Sequence, residues 1–393
     1  MIKKYSTVIL TLLLLSSYTS AKNKKSSVKH FSMQWQKIYG GKDDDIAKGV
    51  VMLEDGDTAI VGTCKSFNAK RSDICVTRLN AKGQTLWRKL LGGKKVDKGV
   101  AISRAKDGNL LVLGEGKSFN KNKDQDIYVA KLSLDGKLIW QKAFGGKQDE
   151  FAAGIAGTND GGVLLVGDSE SYSKKRYRDI YIVRLDKNGK MLSTKTIGGK
   201  FNDEANALTR TADGNFMMVG SRELQHTGDA DFFLLKLNQK GEKIWARTVG
   251  EDQNDVLHAV APTPDGGIVA TGKTRSYNSA QTDLAVMHFN KNGKLIWFKI
   301  YGFKYYDEGN AITMTSKGTF VVAGKTNSLG KGDFDNYLVE LDRKGQLLRS
   351  GIYGGKNRDI AHGITRTTDG AIITVGQSDS FSRNTKFYMI KLK

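Results

Sequence analysis

One pattern recurs seven times in this chain, and its first and last copies are out of phase. A glycine, mostly doubled and mostly preceded by an aromatic or aliphatic residue, stands at Gly40, Gly92, Gly145, Gly198, Gly250, Gly302 and Gly354, at spacings of 52 or 53 residues. All five tryptophans, Trp35, Trp87, Trp140, Trp245 and Trp297, lie five residues before one of these glycines. A repeat of this length restricts the chain to a propeller, a solenoid or an array of small units.

The unit itself spells out four short strands. After Gly145 come a first strand around Ile155, the turn Asn159-Asp160-Gly161-Gly162 and the apolar run Val163 to Gly167. A polar loop, Ser169 to Arg178, leads to Asp179–Leu185, the turn Asp186-Lys187-Asn188-Gly189 and a last run, Met191 to Ile197. β-Branched and aromatic runs broken by turn pairs, without a helical period, read as strands. The Asp-Gly turn recurs at Asp55, Asp107, Asp160, Asp213, Asp265 and Asp369, with Lys317-Gly318 in the sixth copy. Such pairs accept the positive φ of tight hairpins. Seven residues before each turn glycine stands a small residue: Gly49, Ala101, Gly154, Ala207, Ala259, Ala311 or Gly363. It falls on the first strand, where inner strands would crowd an axis.

The phase offset tells how such a ring closes. The last copy stops at Lys393, just after its third strand, and the chain starts with an orphan fourth strand, Met33 to Tyr39. Joining the two leaves no open sheet edge. The expected fold is an all-β, seven-bladed β-propeller with four antiparallel strands per blade, closed by an N-terminal strand completing the last blade. A linear β-solenoid is the alternative, but it would not need complementary ends.

Residues 1–21 read as a signal peptide: Lys3 and Lys4, an apolar stretch from Val8 to Leu15, then Thr19-Ser20-Ala21. The stretch is too short to span a bilayer, and no other segment offers a transmembrane span. Residues 22–32 read as a basic, flexible lead-in and 33–393 as the propeller, so a periplasmic or secreted protein is expected. Cys64 and Cys75 are the only cysteines. They end the second strand and begin the third strand of the first blade. In an oxidising compartment they could bridge; alternatively they are two separate small core residues. The formal charge of +21 favours anionic partners. No nucleic-acid motif is present, so the expected partners are proteins or anionic polysaccharide such as lipopolysaccharide, not nucleic acid. A monomer without cofactor or metal is expected.

In a propeller, the loops from second to third strand and from fourth to first strand share one face. Here those loops are long and variable, while the other face carries tight turns; binding favours variable loops on a rigid frame. Lys174, Lys175, Arg176 and Arg178 make one loop strongly basic. Ser-aromatic pairs recur at Ser66-Phe67, Ser118-Phe119, Ser171-Tyr172, Ser276-Tyr277 and Ser380-Phe381. These rings either stack on ligands or fold inward to pin the loops, and their repetition in register favours pinning. Two residues after the repeat glycine stand Lys42, Lys94, Lys147, Lys200, Lys304 and Lys356, with Asp252 breaking the series. Five after it stand Asp45, Asp97, Glu150, Asp203, Asp255, Asp307 and Asp359. An acid present in every repeat reads as architectural, accepting backbone N–H bonds at the start of the inner strand. Three residues further on the identity varies: Lys48, Val100, Ala153, Asn206, His258, Asn310 and His362. His258 and His362 are candidate binding residues there, two blades apart and so not expected to share a metal.

The turns Asn80-Ala81-Lys82-Gly83, Asn238-Gln239-Lys240-Gly241 and Asn290-Lys291-Asn292-Gly293 each lead to a tryptophan four residues after the glycine. This resembles the repeat of pyrroloquinoline-quinone-type propellers. The whole unit, with its Asp-Gly-Gly turn, Val-x-Gly strand and Gly-Gly close, is similar to bacterial secreted β-propeller repeat proteins across residues 33–393. The eight-bladed, lipid-anchored outer-membrane assembly scaffold has a similar repeat. Quinoprotein dehydrogenases have eight blades and a cofactor cavity; seven repeats without a recognisable ligand set depart from them. The resemblance implies architecture rather than an activity. The expected function is a non-enzymatic extracytoplasmic binding scaffold working through the long-loop face. The alternative is a propeller hydrolase, lyase or lactonase acting on glycans or small esters, for which His258, His362, Glu223 and Asp379 are the few candidates.

Overall fold

Each apolar run of the repeat becomes a strand in the computed structural model, which describes residues 30–119, 124–173, 177–225, 228–277, 279 and 281–393. The described residues form 28 strands in seven antiparallel four-stranded sheets, with no helix. The inner strands are Asp45–Met52, Asp97–Arg104, Glu150–Gly157, Asp203–Arg210, Asp255–Pro262, Asp307–Met314 and Asp359–Arg366, and they number the blades from one to seven. In the seventh sheet the outer strand is Met33–Tyr39, paired antiparallel with Lys386–Leu392. The seven-bladed ring closed by its own N-terminal strand is therefore the observed fold. Just before this strand, Ser32 and Lys393 exchange backbone hydrogen bonds of 2.9 and 2.8 Å. Phe31, only 5% exposed, lies in the core between blades six and seven.

The core is divided into seven clusters, each filling the space between two neighbouring blades. Side chains alternate across a strand. Ala59 and Val61 accordingly pack toward blade two, while Ile60 between them packs toward blade seven. Both sheet faces are buried, which is why the second and third strands read as unbroken apolar runs. Cys64 and Cys75 lie in the seam between blades seven and one and are joined as a disulfide, with Cα atoms 5.6 Å apart.

All seven inner strands carry a bulge at the same place. The extra residue is Lys48, Val100, Ala153, Asn206, His258, Asn310 or His362, the very position that varies from repeat to repeat. A bulge leaves one residue out of the ladder and re-aims its side chain. It also explains the glycine of each Val-x-Gly strand: a Cβ on Gly167 would sit 2.0 Å from the carbonyl oxygen of Phe151.

The tryptophans join one blade to the next. Trp87 lies over the turn glycine Gly136 of blade two and donates Nε1–H to Leu134 O at 2.8 Å. Trp140 repeats this on Gly189 and Lys187 O at 3.1 Å, and Trp297 on Gly345 and Arg343 O at 2.9 Å. Trp245 covers Gly293. Each tryptophan sits opposite a third-strand residue, Arg78, Lys131, Lys236 and His288 in turn. That residue is generally a buried cation paired with the Asp of its own tight turn, as in Lys131–Asp107 at 2.6 Å and Lys236–Asp213 at 2.5 Å. Blade five breaks this rule. His288 has no hydrogen-bond partner on either ring nitrogen among the described residues, and Asp265 bonds Thr263 Oγ1 instead, beside a cavity of about 300 Å³.

Two blades lack the tryptophan. In blade six Arg349 takes its place, stacks on Phe31 at 4.1 Å and donates to Lys393 O at 3.0 Å, so it serves the ring closure. In blade three the residue is Ser193. Trp87→Ala or Trp140→Ala should therefore lower unfolding free energy by about 2–3 kcal/mol, below the usual cost for a fully buried ring because these indoles are half-exposed. Ser193→Ala should change it by less than about 0.5 kcal/mol. Denaturant titration of the three variants checks the contrast.

Candidate functional site: the long-loop face

The seven repeated carboxylates form the floor of this face. Asp45, Asp97, Glu150, Asp203, Asp255, Asp307 and Asp359 are all fully buried. Each accepts the amide four residues before it, at 2.8 Å from Gly41, 2.9 Å from Gly93 and 2.8 Å from Gly355, for example. The other oxygen of Asp45 accepts Ser66 N at 3.2 Å and that of Asp97 accepts Ser118 N at 3.1 Å; Glu150 and Asp255 take the Ser169 and Thr274 hydroxyls, Asp203 pairs with Arg222, and Asp307 and Asp359 accept the Ser328 and Ser380 hydroxyls on the same oxygen that takes the amide. Their own amides donate to the preceding blade: Asp97 to Ser72 O at 2.9 Å, Glu150 to Gln125 O at 2.7 Å, Asp359 to Phe334 O at 2.6 Å. One side chain thus fixes two loops of its own blade at the seam with its neighbour.

A second set of carboxylates, not singled out by the sequence reading, packs against the first. Asp73, Asp126, Asp179, Asp283 and Asp335 begin the third strands, Asp231 is the second residue of its own, and Lys386 begins that of blade seven. Both sets press on the repeat glycine: a Cβ at Gly92 would lie 2.5 Å from Asp73 Oδ1 and 2.8 Å from Asp97 Oδ2. Burial, and then the charge of Asp97, pushes the Asp73 carboxyl up. Burial and then Asp255 push Asp231 up to about 6.

Above this floor the lysines are presented. Lys42, Lys94, Lys147, Lys200, Lys304 and Lys356 stand three residues before the buried acids and are all exposed. None has an ion pair among the described residues. Lys304 lies over the Tyr305 ring at 5.3 Å. In this same loop the second repeat glycine has become Phe303. With Tyr305 and Tyr306 it makes an exposed aromatic group, the three rings 50%, 41% and 44% exposed. The signal was present in the sequence as a Gly-Phe-Lys-Tyr-Tyr run where five other copies have Gly-Gly.

The Ser-aromatic pairs pin the loops. The serine oxygens accept amides of the neighbouring loop, from Asp43 at 3.0 Å, Lys95 at 2.9 Å, Gln148 at 2.9 Å, Gln253 at 3.2 Å and Asn357 at 3.0 Å. The rings fold back, Phe119 on Tyr128 at 4.0 Å, Tyr172 on Tyr181 at 5.1 Å and Tyr277 on Phe298 at 5.0 Å. Lys174, Lys175 and Arg176 lie outside the described residues. Arg178 is engaged: it stacks on Phe151 at 3.9 Å and pairs with Glu204 at 3.3 Å and Glu170 at 3.5 Å.

Five of the bulge residues, Lys48, Val100, Ala153, Asn206 and His258, line two cavities of about 410 and 330 Å³ that share Asn206. Lys48, Lys98 and Glu115 line the first; Glu204, Glu223, His258 and Lys273 line the second. Lys98 pairs with Glu115 at 3.2 Å, and Lys325 and Lys273 pair with Glu308 at 3.2 and 3.7 Å. His362 Nε2 lies 3.1 Å from Gln377 Oε1 and 3.5 Å from Lys48 Nζ. Burial, then the Lys48 charge, pushes His362 down to about 3. Burial likewise lowers His258. The four residues considered for hydrolytic chemistry do not form one group. Glu223 and His258 share a cavity, His362 is tied to Gln377, and Asp379 pairs with Arg358 at 3.1 Å and accepts from Thr385 at 2.6 Å.

Residues 123–327, just over half of the chain, match the family described as outer membrane protein assembly factor BamB. The chain belongs to this family. The match agrees with the resemblance to pyrroloquinoline-quinone-type repeats. Among curated proteins, regulatory protein FlaEY of Caulobacter vibrioides is similar to this BamB-type chain, 24% identical over 351 residues. That alignment covers 80% of the chain but 34% of FlaEY, so the chain spans about a third of that relative's length. A protein of unknown function from Dyadobacter fermentans has a similar fold, with TM-score 0.53, 13% identity and coverage of 93% and 100% of the two chains. The Pan2 WD40 domain of Neurospora crassa does too, with TM-score 0.52, 11% identity and coverage of 90% and 97%. At such identities these likenesses show the fold alone. No helix among the described residues is long and apolar enough to cross a membrane.

The paired carboxylates give this BamB-type propeller a pH signature. Asp231 has a raised folded-state pKa of about 6. Its contribution to stability is full below the ordinary aspartate range and is lost as pH rises through that value. Asp231→Asn removes this loss, so the melting temperature of the variant relative to wild type should climb between about pH 4 and about pH 7. Parallel curves across that window would contradict the assignment.

Proposed function

We propose that this protein is a non-enzymatic, extracytoplasmic scaffold that binds a protein partner through its long-loop face. The observation that carries this reading is the exposed group Phe303, Lys304, Tyr305 and Tyr306, set in a crown of lysines without ion pairs. Exposed aromatic anchors match the composition of interface hot spots, and the surrounding lysines would steer an acidic partner toward them. Fixed loops lower the ordering cost of association. The family's description as an assembly factor and the relative's name as a regulatory protein both support a role in holding other proteins. The signal-like N-terminus and the Cys64–Cys75 bridge favour an oxidising, periplasmic or secreted location. An anionic polymer such as lipopolysaccharide is the second reading, supported by the lysine crown alone. The protein works as a monomer and without a cofactor on this account.

The test is capture from envelope extract by the tagged mature protein, washed at low and then high salt. Wild type should retain a discrete protein partner at high salt. The variant Phe303→Ala/Tyr305→Ala/Tyr306→Ala should lose it while keeping the wild-type melting temperature. Reversing the charge of Lys42, Lys94 and Lys356 should weaken capture mainly at low salt. Polymer bound at low salt and wholly released at high salt would favour the second reading. Unchanged protein capture by the aromatic variant would overturn the first.

A further inference from the structure

The repeat supplies its own template for a second site, on the tight-turn side of the ring and independent of the long-loop face. In three blades a third-strand cation joins two acceptors, an Asp of its own blade's first turn and a carbonyl in the third-to-fourth turn of the next blade. Lys236 donates to Asp213 at 2.5 Å and to Lys291 O at 3.1 Å. Arg78 reaches Asp57 and Leu134 O, both at 2.9 Å, and Arg184 reaches Asp160 at 2.7 Å and Gln239 O at 3.0 Å. Because the single Lys236 nitrogen meets both, the two acceptors converge on one point.

Blade five keeps the acceptors and lacks the cation. The equivalent acceptors are Asp265 and Arg343 O, and the third-strand residue is His288. An imidazole is shorter than a lysine or arginine, and burial lowers the His288 pKa, so the ring is neutral at neutral pH. Arg343 O accepts Trp297 Nε1–H at 2.9 Å and nothing else among the described residues. Leu134 O in blade two shows that such a carbonyl takes an indole and a cation together. The Thr263 hydroxyl holds the Asp265 carboxyl below the usual range. That bond and one from Gly267 N at 3.3 Å both fall on Oδ1, which leaves Oδ2 without a partner among the described residues. A cavity of about 300 Å³ opens here, walled by Pro264, Met314, Phe320 and His288, with Asp265 and Arg343 also in its lining.

Blade six supplies the opposite charge. Its first turn is Lys317-Gly318 where the other blades have Asp-Gly, so it offers no acid. The Arg343 guanidinium lies over Gly318, its Nε 2.7 Å from where a Cβ would be, and has no ion pair among the described residues. An unpaired carboxylate and an unpaired guanidinium thus share a mostly apolar cavity. The guanidinium disfavours a guest that is only a cation, whereas a zwitterion complements both charges. The volume is at the small end of ligand pockets.

We infer that this cavity binds a free α-amino acid with an apolar side chain. Its ammonium takes the place that the Lys236 nitrogen fills in blade four, between Asp265 and Arg343 O. Its carboxylate meets the Arg343 guanidinium, and its side chain lies on Pro264 and Met314.

The experiment is a methyl-resolved NMR titration of the full mature protein with L-phenylalanine. The Met314 methyl resonance should move saturably. N-acetyl-L-phenylalanine, which has no ammonium, and L-phenylalaninamide, which has no carboxylate, should each bind roughly two- to fivefold more weakly, the range of a surface ion pair. Asp265→Asn keeps an oxygen for Thr263 and Gly267 while removing the charge, and should weaken L-phenylalanine by a similar factor. His288→Lys should abolish the shifts and raise the melting temperature, because the ammonium is then supplied from within the chain. If His288→Lys fails to fold, the capped ligands and Asp265→Asn carry the test. A Met314 methyl that does not move, or that moves equally with either capped form, would overturn the inference.

Discussion

A carboxylate buried at the start of every inner strand holds this molecule's long-loop face in shape. Its carboxylate takes the amide of the residue four before it and a donor at the end of the second strand or in the loop after it, while its own amide reaches the preceding blade. Placing an acid in the interior is costly unless its oxygens are satisfied; backbone donors, hydroxyls and Arg222 supply most of these bonds, while Oδ1 of Asp307 and of Asp359 has no hydrogen-bond partner among the described residues. The consequence lies at the surface. The residue three before each acid is held in a short loop with no freedom to fold inward, and in six repeats it is an exposed lysine. Burial of one charge thus dictates display of another.

The blades cohere through side chains that cross the seams. Alternating residues of the second and third strands feed the core on either side, and an indole from one outer strand covers the turn of the next blade. Because the frame is so regular, its departures stand out. Lys386 stands beside Asp45 where other seams have a second carboxylate, Arg349 replaces an indole to serve the closure, and His288 replaces a paired cation. Phe303 replaces a glycine in the lysine crown, and at Ser193, where other blades have an indole, Leu164 and Ile182 pack against the turn glycine Gly241 instead. The first two belong to the joint between the chain's ends. The Phe303 departure opens onto solvent, and the proposed function rests on it.

Periodicity made the architecture legible. The glycine spacing, the Asp-Gly turns and the orphan strand from Met33 to Tyr39 together define seven blades and their closure, because hairpin turns and sheet edges are local constraints. The invariant acids, too, were readable as architecture from their repetition. The second carboxylate set was not, since an aspartate at a strand start looks like any loop residue until Gly92 is seen wedged between Asp73 and Asp97. The bulges were hidden for a similar reason: Lys48 and His362 marked a variable position, but only the register shows that they leave the ladder and face the channel. The absence of an indole from blades three and six was readable, since five tryptophans serve seven equivalent positions. What each indole covers could not, because Trp87 and Leu134 meet across a blade boundary.

The claim that the long-loop face is the partner-binding face is tested most directly by site-specific photocrosslinking in intact envelopes. A photoreactive residue at Tyr305 samples the aromatic group, and one at Lys317 samples the tight turns on the opposite face. The account predicts a discrete protein adduct from position 305 and none from position 317. An adduct from position 317 alone, or no protein adduct from position 305 under conditions that crosslink a known envelope complex, would contradict it.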